Sequence, residues 1–273
     1  MVNFRAEKLS KRVTRIYGVC TELMYLVEGE EKAALLDTGS GFGSLKAAVE
    51  KLTDKPLLVL LTHGHTDHAM GAGEFEMVYM NHRDDYIYVP HGEEPFRREG
   101  MHMAEPGVLL EDSDYIPTVS QEVFRDLKGG DSFDLGGVTI KIYDCAGHTK
   151  GSVVMLIPEE RMLLLGDACN SFTFLYDDYS LTVTEYEENL KKLKADTEGT
   201  YDRVLASHGD GELPPDIIDS VIEVCEDIKA GRAEEIPFEF RGTHGLIAKA
   251  MKGPGQGRLD GGSGNIVYSR DRI

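Results

Sequence analysis

The apolar positions of this 273-residue chain fall into short runs separated by polar, glycine-rich turns. Residues 13–17, 23–28 and 33–36 read as strands, because runs this short, bounded by turn residues, do not carry helical periodicity. Residues 57–61 (Leu57, Leu58, Val59, Leu60, Leu61) are apolar without a charge, the pattern of a strand buried on both faces. Further strands are expected at 76–80, between the glycine pairs 129–130 and 136–137, and at 138–143, 152–157, 162–165 and 204–206. Helical spacing is expected over 44–52, over the charged amphipathic stretch 184–196, and from Pro214-Pro215 to Gly231. Residues 81–128 show no clear period and are expected to form a pocket-covering insertion, either a lid or a partly disordered segment. In the tail, 246–248 and 266–268 flank a glycine-rich loop, which predicts a terminal hairpin or a strand added to a sheet. The domain organisation expected is a single unit, 1–273, with the insertion at 81–128 and a C-terminal helix plus hairpin at 214–273.

The candidate chemistry sits where these strands stop. The apolar run 57–61 ends in Thr62-His63-Gly64-His65-Thr66-Asp67-His68, three histidines and an aspartate within six residues. In extended backbone, side chains two apart share a face, so His63 and His65 can grip one ion together. Asp67 and His68 follow where the chain must turn, which aims them at a neighbouring position. Imidazole and carboxylate are ligands for zinc, iron and manganese. Asp37, His148, Asp167 and His208 each follow another apolar strand, and loops at one sheet edge are where ligand sites of α/β proteins gather. Asp37 reads equally as an Asx turn or cap and as a carboxylate that orients a metal ligand. His82, His91 and His102 stand singly in the insertion, where surface or supporting roles outweigh direct ligation. Gly64, Gly147 and Gly209 permit the tight turns such loops need.

Charge and composition narrow the partners. The formal net charge is −19, a field that repels phosphate backbones and anionic membranes. No apolar run approaches a membrane span and no apolar signal core opens the chain, so a cytoplasmic protein is expected. Cys20, Cys145, Cys169 and Cys225 have neither disulfide-framework nor zinc-ribbon spacing and read as buried thiols. Expected partners are a small-molecule substrate, with a homodimer left open, and neither nucleic acid nor membrane.

The set Asp37, His63-x-His65-x-Asp67-His68, His148, Asp167 and His208 resembles the signature of the metallo-β-lactamase superfamily, over about residues 13–210. The resemblance implies an α/β protein with a four-layer αββα sandwich and a dinuclear metal site at one edge. It implies that His63, His65 and His148 hold one ion, that Asp67, His68 and His208 hold the other, that Asp167 bridges, and that Asp37 stands behind a ligand. Asp167 stands where the best-known lactam-cleaving enzymes carry cysteine, and His65 where flavin-linked di-iron reductases carry an acid. Asp167 and His208 lie only 41 positions apart, too few for the domain inserted in the nuclease branch. The overall likeness is to glyoxalase II-like thioesterases and lactonases, although His68-Ala69-Met70-Gly71 departs from their double glycine and no basic cluster suits glutathione carboxylates.

The expected function is hydrolysis of an ester, thioester or lactone of a small molecule by a hydroxide bridging two divalent ions, zinc before iron or manganese. Asp67 would orient the nucleophile while ligating, and Tyr176 is a candidate proton source for the leaving group. An iron-dependent redox enzyme of the persulfide dioxygenase type and a phosphodiesterase are the alternatives within the fold. A non-catalytic sensor is the rival outside enzymology. Substrate-binding residues are not legible; specificity is expected from 81–128 and 171–178.

Overall fold

The computed structural model describes residues 2–101, 104, 106–240, 242–253 and 256–273. His102 and Met103 of the insertion therefore lie outside the described residues.

The first sheet runs β1 (Ala6–Lys8), β2 (Val13–Tyr17), β3 (Leu23–Glu28), β4 (Ala33–Leu36), β5 (Leu57–Leu60), β6 (Val78–Met80) and β7 (Arg125–Asp126) in spatial as well as chain order. Strands β4 to β7 are mutually parallel. The second sheet is built from β8 (Ser132–Asp134), β9 (Thr139–Asp144), β10 (Val153–Ile157) and β11 (Met162–Leu164), followed in space by β13 (Arg203–Leu205) and β14 (Glu212–Leu213). The intervening strand β12 (Thr173–Leu175) is diverted into a third sheet with β15 (Ile236–Phe240), β16 (Thr243–Ile247) and β17 (Ile266–Tyr268), in the order β12-β17-β16-β15.

Strand alternation divides the continuous apolar runs between two cores. Leu23, Tyr25 and Val27 of β3 face the second sheet, where they meet Val153, Met155 and Ile157 of β10. Met24 and Leu26 turn the other way, onto Leu45 and Val49 of helix α1 (Leu45–Val49). On the far side of the second sheet, Val154 and Leu156 of β10 pack on the two long helices that follow, introduced in chain order below. Between them lie α2 (Thr66–Ala69), α3 (Asp85–His91) and α4 (Glu94–Gly100), then α5 (Val183–Thr197) and α6 (Ile217–Lys229). The result is the expected αββα layering, helices outside and two sheets within. Helix α5 begins on a reciprocal cap, in which the Thr182 side chain accepts from the Glu185 N–H and the Glu185 carboxylate accepts from the Thr182 N–H.

One expectation is corrected, and another holds with an addition. The stretch 81–128 is not one irregular loop: it holds the seven-residue helices α3 and α4, several 3-10 turns and the edge strand β7. Arg97 of α4 is only 1% exposed, and its guanidinium donates to the carbonyls of Ile116, Ser40 and Gly41. That pins the insertion to the loop after β4. The tail is also more than a hairpin across the glycine loop. β16 and β17 do pair as expected, but the longer hairpin is β15–β16, and both belong to the third sheet.

Candidate metal centre

Five strand ends deliver the side chains. Asp37 follows β4, His63 to His68 follow β5, His148 follows β9, Asp167 follows β11 and His208 follows β13. All seven ligand candidates converge. Nδ1 of His65 lies 2.9 Å from Nε2 of His63 and 2.9 Å from Nε2 of His148. Asp67, His68 and His208 form a second trio, and Nε2 of His208 lies 3.4 Å from the Asp67 carboxylate. Oδ2 of Asp167 stands between the trios, 3.5 Å from Nε2 of His68, 3.3 Å from Nε2 of His208 and 4.0 Å from Nε2 of His148. His63, His65, His68 and His148 are buried, whereas the Asp67 and His208 side chains are 33% and 35% exposed and mark the open side of the cleft.

The hydrogen bonds behind these rings fix which nitrogen each one presents. Nδ1–H of His148 donates to the Phe174 carbonyl at 2.9 Å, leaving its Nε2 lone pair for the cluster. Nδ1 of His68 sits 2.9 Å from Oδ2 of Asp37, which also accepts from the Thr62 hydroxyl at 2.8 Å, while Oδ1 accepts from the Thr62 N–H at 2.7 Å. That hydroxyl in turn lies 3.0 Å from Nδ1 of His63. Asp37 thus orients His68 directly and His63 through Thr62, the supporting arrangement found behind metal-binding histidines. It occupies a left-handed backbone conformation, φ 62°, which aspartate tolerates better than most residues.

One supporting residue carried no mark in the sequence. Asp84, fully buried at the start of α3, accepts from the Gly64 N–H (2.9 Å), the Thr149 hydroxyl (2.8 Å) and the Gly151 N–H (2.6 Å). It stitches the loop of His63 and His65 to the loop of His148. Burial outweighs these bonds and raises its pKa above the usual aspartate value. Gly147 is required by close packing, since a Cβ there would stand 2.1 Å from the Tyr186 ring, and Gly209 adopts φ +65°.

Electrostatics separate the two trios. Burial first, and the neighbouring imidazoles second, push His63 and His65 well below the ordinary histidine value, so both are neutral with lone pairs available. Burial acts the same way on His68 and His208, but the surrounding aspartates overcome it and raise both, His208 to about 10. For Asp67 burial favours the protonated form, and His68 and His208 more than offset it. Nε2 of His68 and Oδ1 of Asp167 are buried without a hydrogen-bond partner. Three convergent ring nitrogens, an orphaned imidazole nitrogen and orphaned carboxylate oxygen are what divalent cations satisfy, so the residues fit such ions.

Rings wall one side. His91 of α3 stacks on His65 with centroids 5.2 Å apart, and Phe96 of α4 stacks on His91 at 4.3 Å. The tyrosine at the cluster is Tyr179, edge-on to His65 at 5.0 Å, with its hydroxyl donating to Asp177. Tyr176, the tyrosine singled out from sequence, packs instead among Phe174 and Phe238. His82 bonds to Asp85 away from the cluster. Cys145 and Cys169 are buried thiols as expected, and burial pushes Cys145 up to about 12.

The family model of the metallo-beta-lactamase superfamily matches residues 17–208, more than two thirds of the chain, and the chain belongs to that superfamily. Similar proteins include an uncharacterized protein of Mycobacterium tuberculosis, 32% identical over 133 residues that make up 46% of this chain and 54% of that one. An acyl-coenzyme A thioesterase of Homo sapiens is 27% identical over 168 residues, 53% of this chain and 57% of the relative. The chain thus spans about half the length of these curated relatives. Among solved structures, a metallo-beta-lactamase from Pontibacter korlensis aligns with a TM-score of 0.58 at 17% identity, over 82% of this chain and 100% of the other. That likeness shows the fold alone. The fold implies divalent metals, and the histidine and aspartate groups described can bind them. Among the described residues no helix is long and apolar enough to cross a membrane.

Proposed function

We propose that this chain is a hydrolase that holds two divalent cations, zinc first among them, and cleaves the ester, thioester or lactone bond of a small molecule. The observation that carries the reading is the position of Asp167, whose one carboxylate oxygen lies within 4.0 Å of His148 and within 3.5 Å of both His68 and His208. His63, His65 and His148 are suited to one ion, and Asp67, His68 and His208 to the other, with Asp167 between. Bound there, the cations would lower the pKa of water from 15.7 towards about 7 and polarise a carbonyl.

The rest is the work of side chains. Asp67, ionised and partly exposed, is placed to accept a proton-bearing bond from the attacking water and so to aim it. Asp37 keeps His68 in the tautomer that presents Nε2 to the cleft. His91, Phe96 and Tyr179 keep bulk water from the His65 side, which strengthens every charge interaction inside. The human relative's name, an acyl-coenzyme A thioesterase, supports the thioester among the three bond types.

The test is to strip the protein with a chelator, restore zinc, and follow cleavage of a short acyl thioester beside elemental analysis. Loss and recovery of turnover with about two ions per chain is the expected result. Undiminished turnover in the stripped protein would refute the reading. About one iron per chain with oxygen consumption would replace it by the redox alternative.

A further inference from the structure

The third sheet turns an aromatic face outward that the proposed chemistry leaves unused. Phe172, Phe174 and Tyr176 alternate with the core-facing Thr173 and Leu175, so their rings share one side of β12. Phe238 and Phe240 of β15 meet them: Phe174 lies 5.7 Å from Phe238 and 5.9 Å from Phe240 between centroids, and Phe172 lies 5.4 Å from Phe238. Gly245 of β16 makes that meeting possible, because a Cβ there would stand 3.2 Å from the Tyr176 side chain and 2.9 Å from Val267. Phe240 is 36% exposed, and Phe172, Phe174 and Phe238 are half-buried. Exposed rings gathered on one face mark a binding surface more often than scattered apolar residues do.

The strand that carries this face runs straight on into the loop that supports the metal centre. The Phe174 carbonyl holds Nδ1 of His148, the Ser180 hydroxyl donates to the His148 carbonyl, and between them the chain places the Tyr179 ring on His65. Within a few residues the same segment is first the aromatic face and then the wall of the cleft. Asp177, Asp178 and Glu239 flank the rings in sequence and outnumber the basic Arg241 next to Phe240, so an anionic group lying on the rings is disfavoured.

We propose that the aromatic face of β12 and β15 is the subsite for the apolar acyl group of the substrate, whose carbonyl would lie at the metal centre. The inference rests on the hydrolase reading and narrows it to esters or thioesters of extended apolar acids. Phe172, Phe174, Phe238 and Phe240 are then specificity residues: they cover one side of an acyl chain and touch none of the reacting atoms.

The chain contains no tryptophan, so Phe240→Trp gives a single fluorescent reporter on the face. In the zinc-loaded variant, dodecanoate should shift the emission to the blue and acetate should not. In parallel, kcat/KM of the zinc-loaded parent is measured on acyl thioesters from acetyl to dodecanoyl. One-sided cover should raise it roughly two-fold per methylene, against the roughly four-fold that full burial would give. Phe238→Ala should cut the value for dodecanoyl about ten-fold and leave acetyl within about two-fold. A flat dependence on acyl length in the parent, or an emission that ignores dodecanoate, would overturn the proposal. So would a blue shift that follows protein concentration together with a doubled mass by sedimentation, since the face would then be covered by a second copy of the chain. If dodecanoate binds and no thioester or ester is cleaved, the hydrolase reading falls while the apolar subsite stands.

Discussion

Replacing Asp84 with alanine removes the acceptor that ties the two histidine loops together. Three donors lose the carboxylate: the N–H groups of Gly64 and Gly151, and the hydroxyl of Thr149, which keeps Ser152 Oγ at 2.7 Å. Hydrogen bonds to a charged acceptor contribute roughly 1.5–3 kcal/mol each, or about 5–9 kcal/mol gross for three. Against this stands the cost of holding a carboxylate out of water, several kcal/mol, which is also why burial raises the Asp84 pKa. The net loss expected is about 3–5 kcal/mol, since each backbone N–H left buried without an acceptor costs roughly 1–3 kcal/mol. At about 2–4 °C per kcal/mol for a chain of this size, the melting temperature should fall by about 10 °C. Asp84→Asn keeps one acceptor oxygen but turns an amide group towards at least one donor, so it should lose about half as much. Because Asp84 holds loops rather than ions, zinc affinity should also drop, by about 10- to 100-fold as for other outer supports of a metal site. Calorimetric melting of the chelated protein and zinc titration of the refolded variant give the two numbers separately. An alanine variant that melts within about 2 °C of the parent and binds zinc as tightly would refute the argument that Asp84 joins the loops.

Two further outcomes follow from particular side chains. Asp37→Asn can keep the left-handed backbone at this position, since asparagine tolerates it, but it loses the charge on His68 and on the Thr62 relay. It should melt near the parent temperature yet bind zinc about ten-fold more weakly by titration calorimetry; equal affinity would count against the relay. Glu187 of α5, nearly buried, receives Lys191 at 2.5 Å and Lys229 of α6 at 2.8 Å. Burial pushes its pKa up, and the two lysines outweigh burial and hold it below the ordinary 4.5. A lowered folded pKa adds stability that is present above the unfolded value and drains as pH falls through the folded one. Glu187→Gln should therefore lower stability at pH 7 by about 1 kcal/mol, and the gap between variant and parent should close as melting is repeated below about pH 4.5. A gap that stays constant with pH would assign the loss to packing.

Much of this architecture can be read from the residues, and the limits have physical causes. Buried strands such as β3 and β5 announce themselves because both faces need apolar side chains, so the run is continuous and its end is sharp. The ligand candidates stand out for a related reason: each falls in the short polar loop that follows the end of a strand. Asp84 does not, because it is one of 48 acidic residues and its importance arises from donors 20, 65 and 67 positions away. Helices α3 and α4 were illegible because seven residues give barely two turns of periodicity, and Pro90 sits inside one of them. Their order comes from tertiary bonds such as those of Arg97. The strand β15 did carry a signal, apolar at Ile236, Phe238 and Phe240 in alternation, but Pro237 argues against a central strand. It is admissible because β15 lies at the edge of its sheet.

Three buried acids explain how a centre drawn from five strand ends keeps one shape. Glu22 accepts from the N–H groups of Cys20 and Ser40, Asp37 from Thr62, and Asp84 from Gly64 and Gly151. Each carboxylate lies behind a loop and answers backbone N–H groups, which cannot move without moving the chain itself. A direct ligand brace between side chains would leave rotamers to choose among; a brace on the backbone leaves none. The desolvation cost of these acids is therefore set against positional order in His63, His65, His68 and His148, and not against attraction to a cation. It follows that a change at Glu22 or Asp84 should disturb the spacing of the donors, whereas a change at Asp67, which braces nothing behind it, should disturb only what happens on the open side of the cleft.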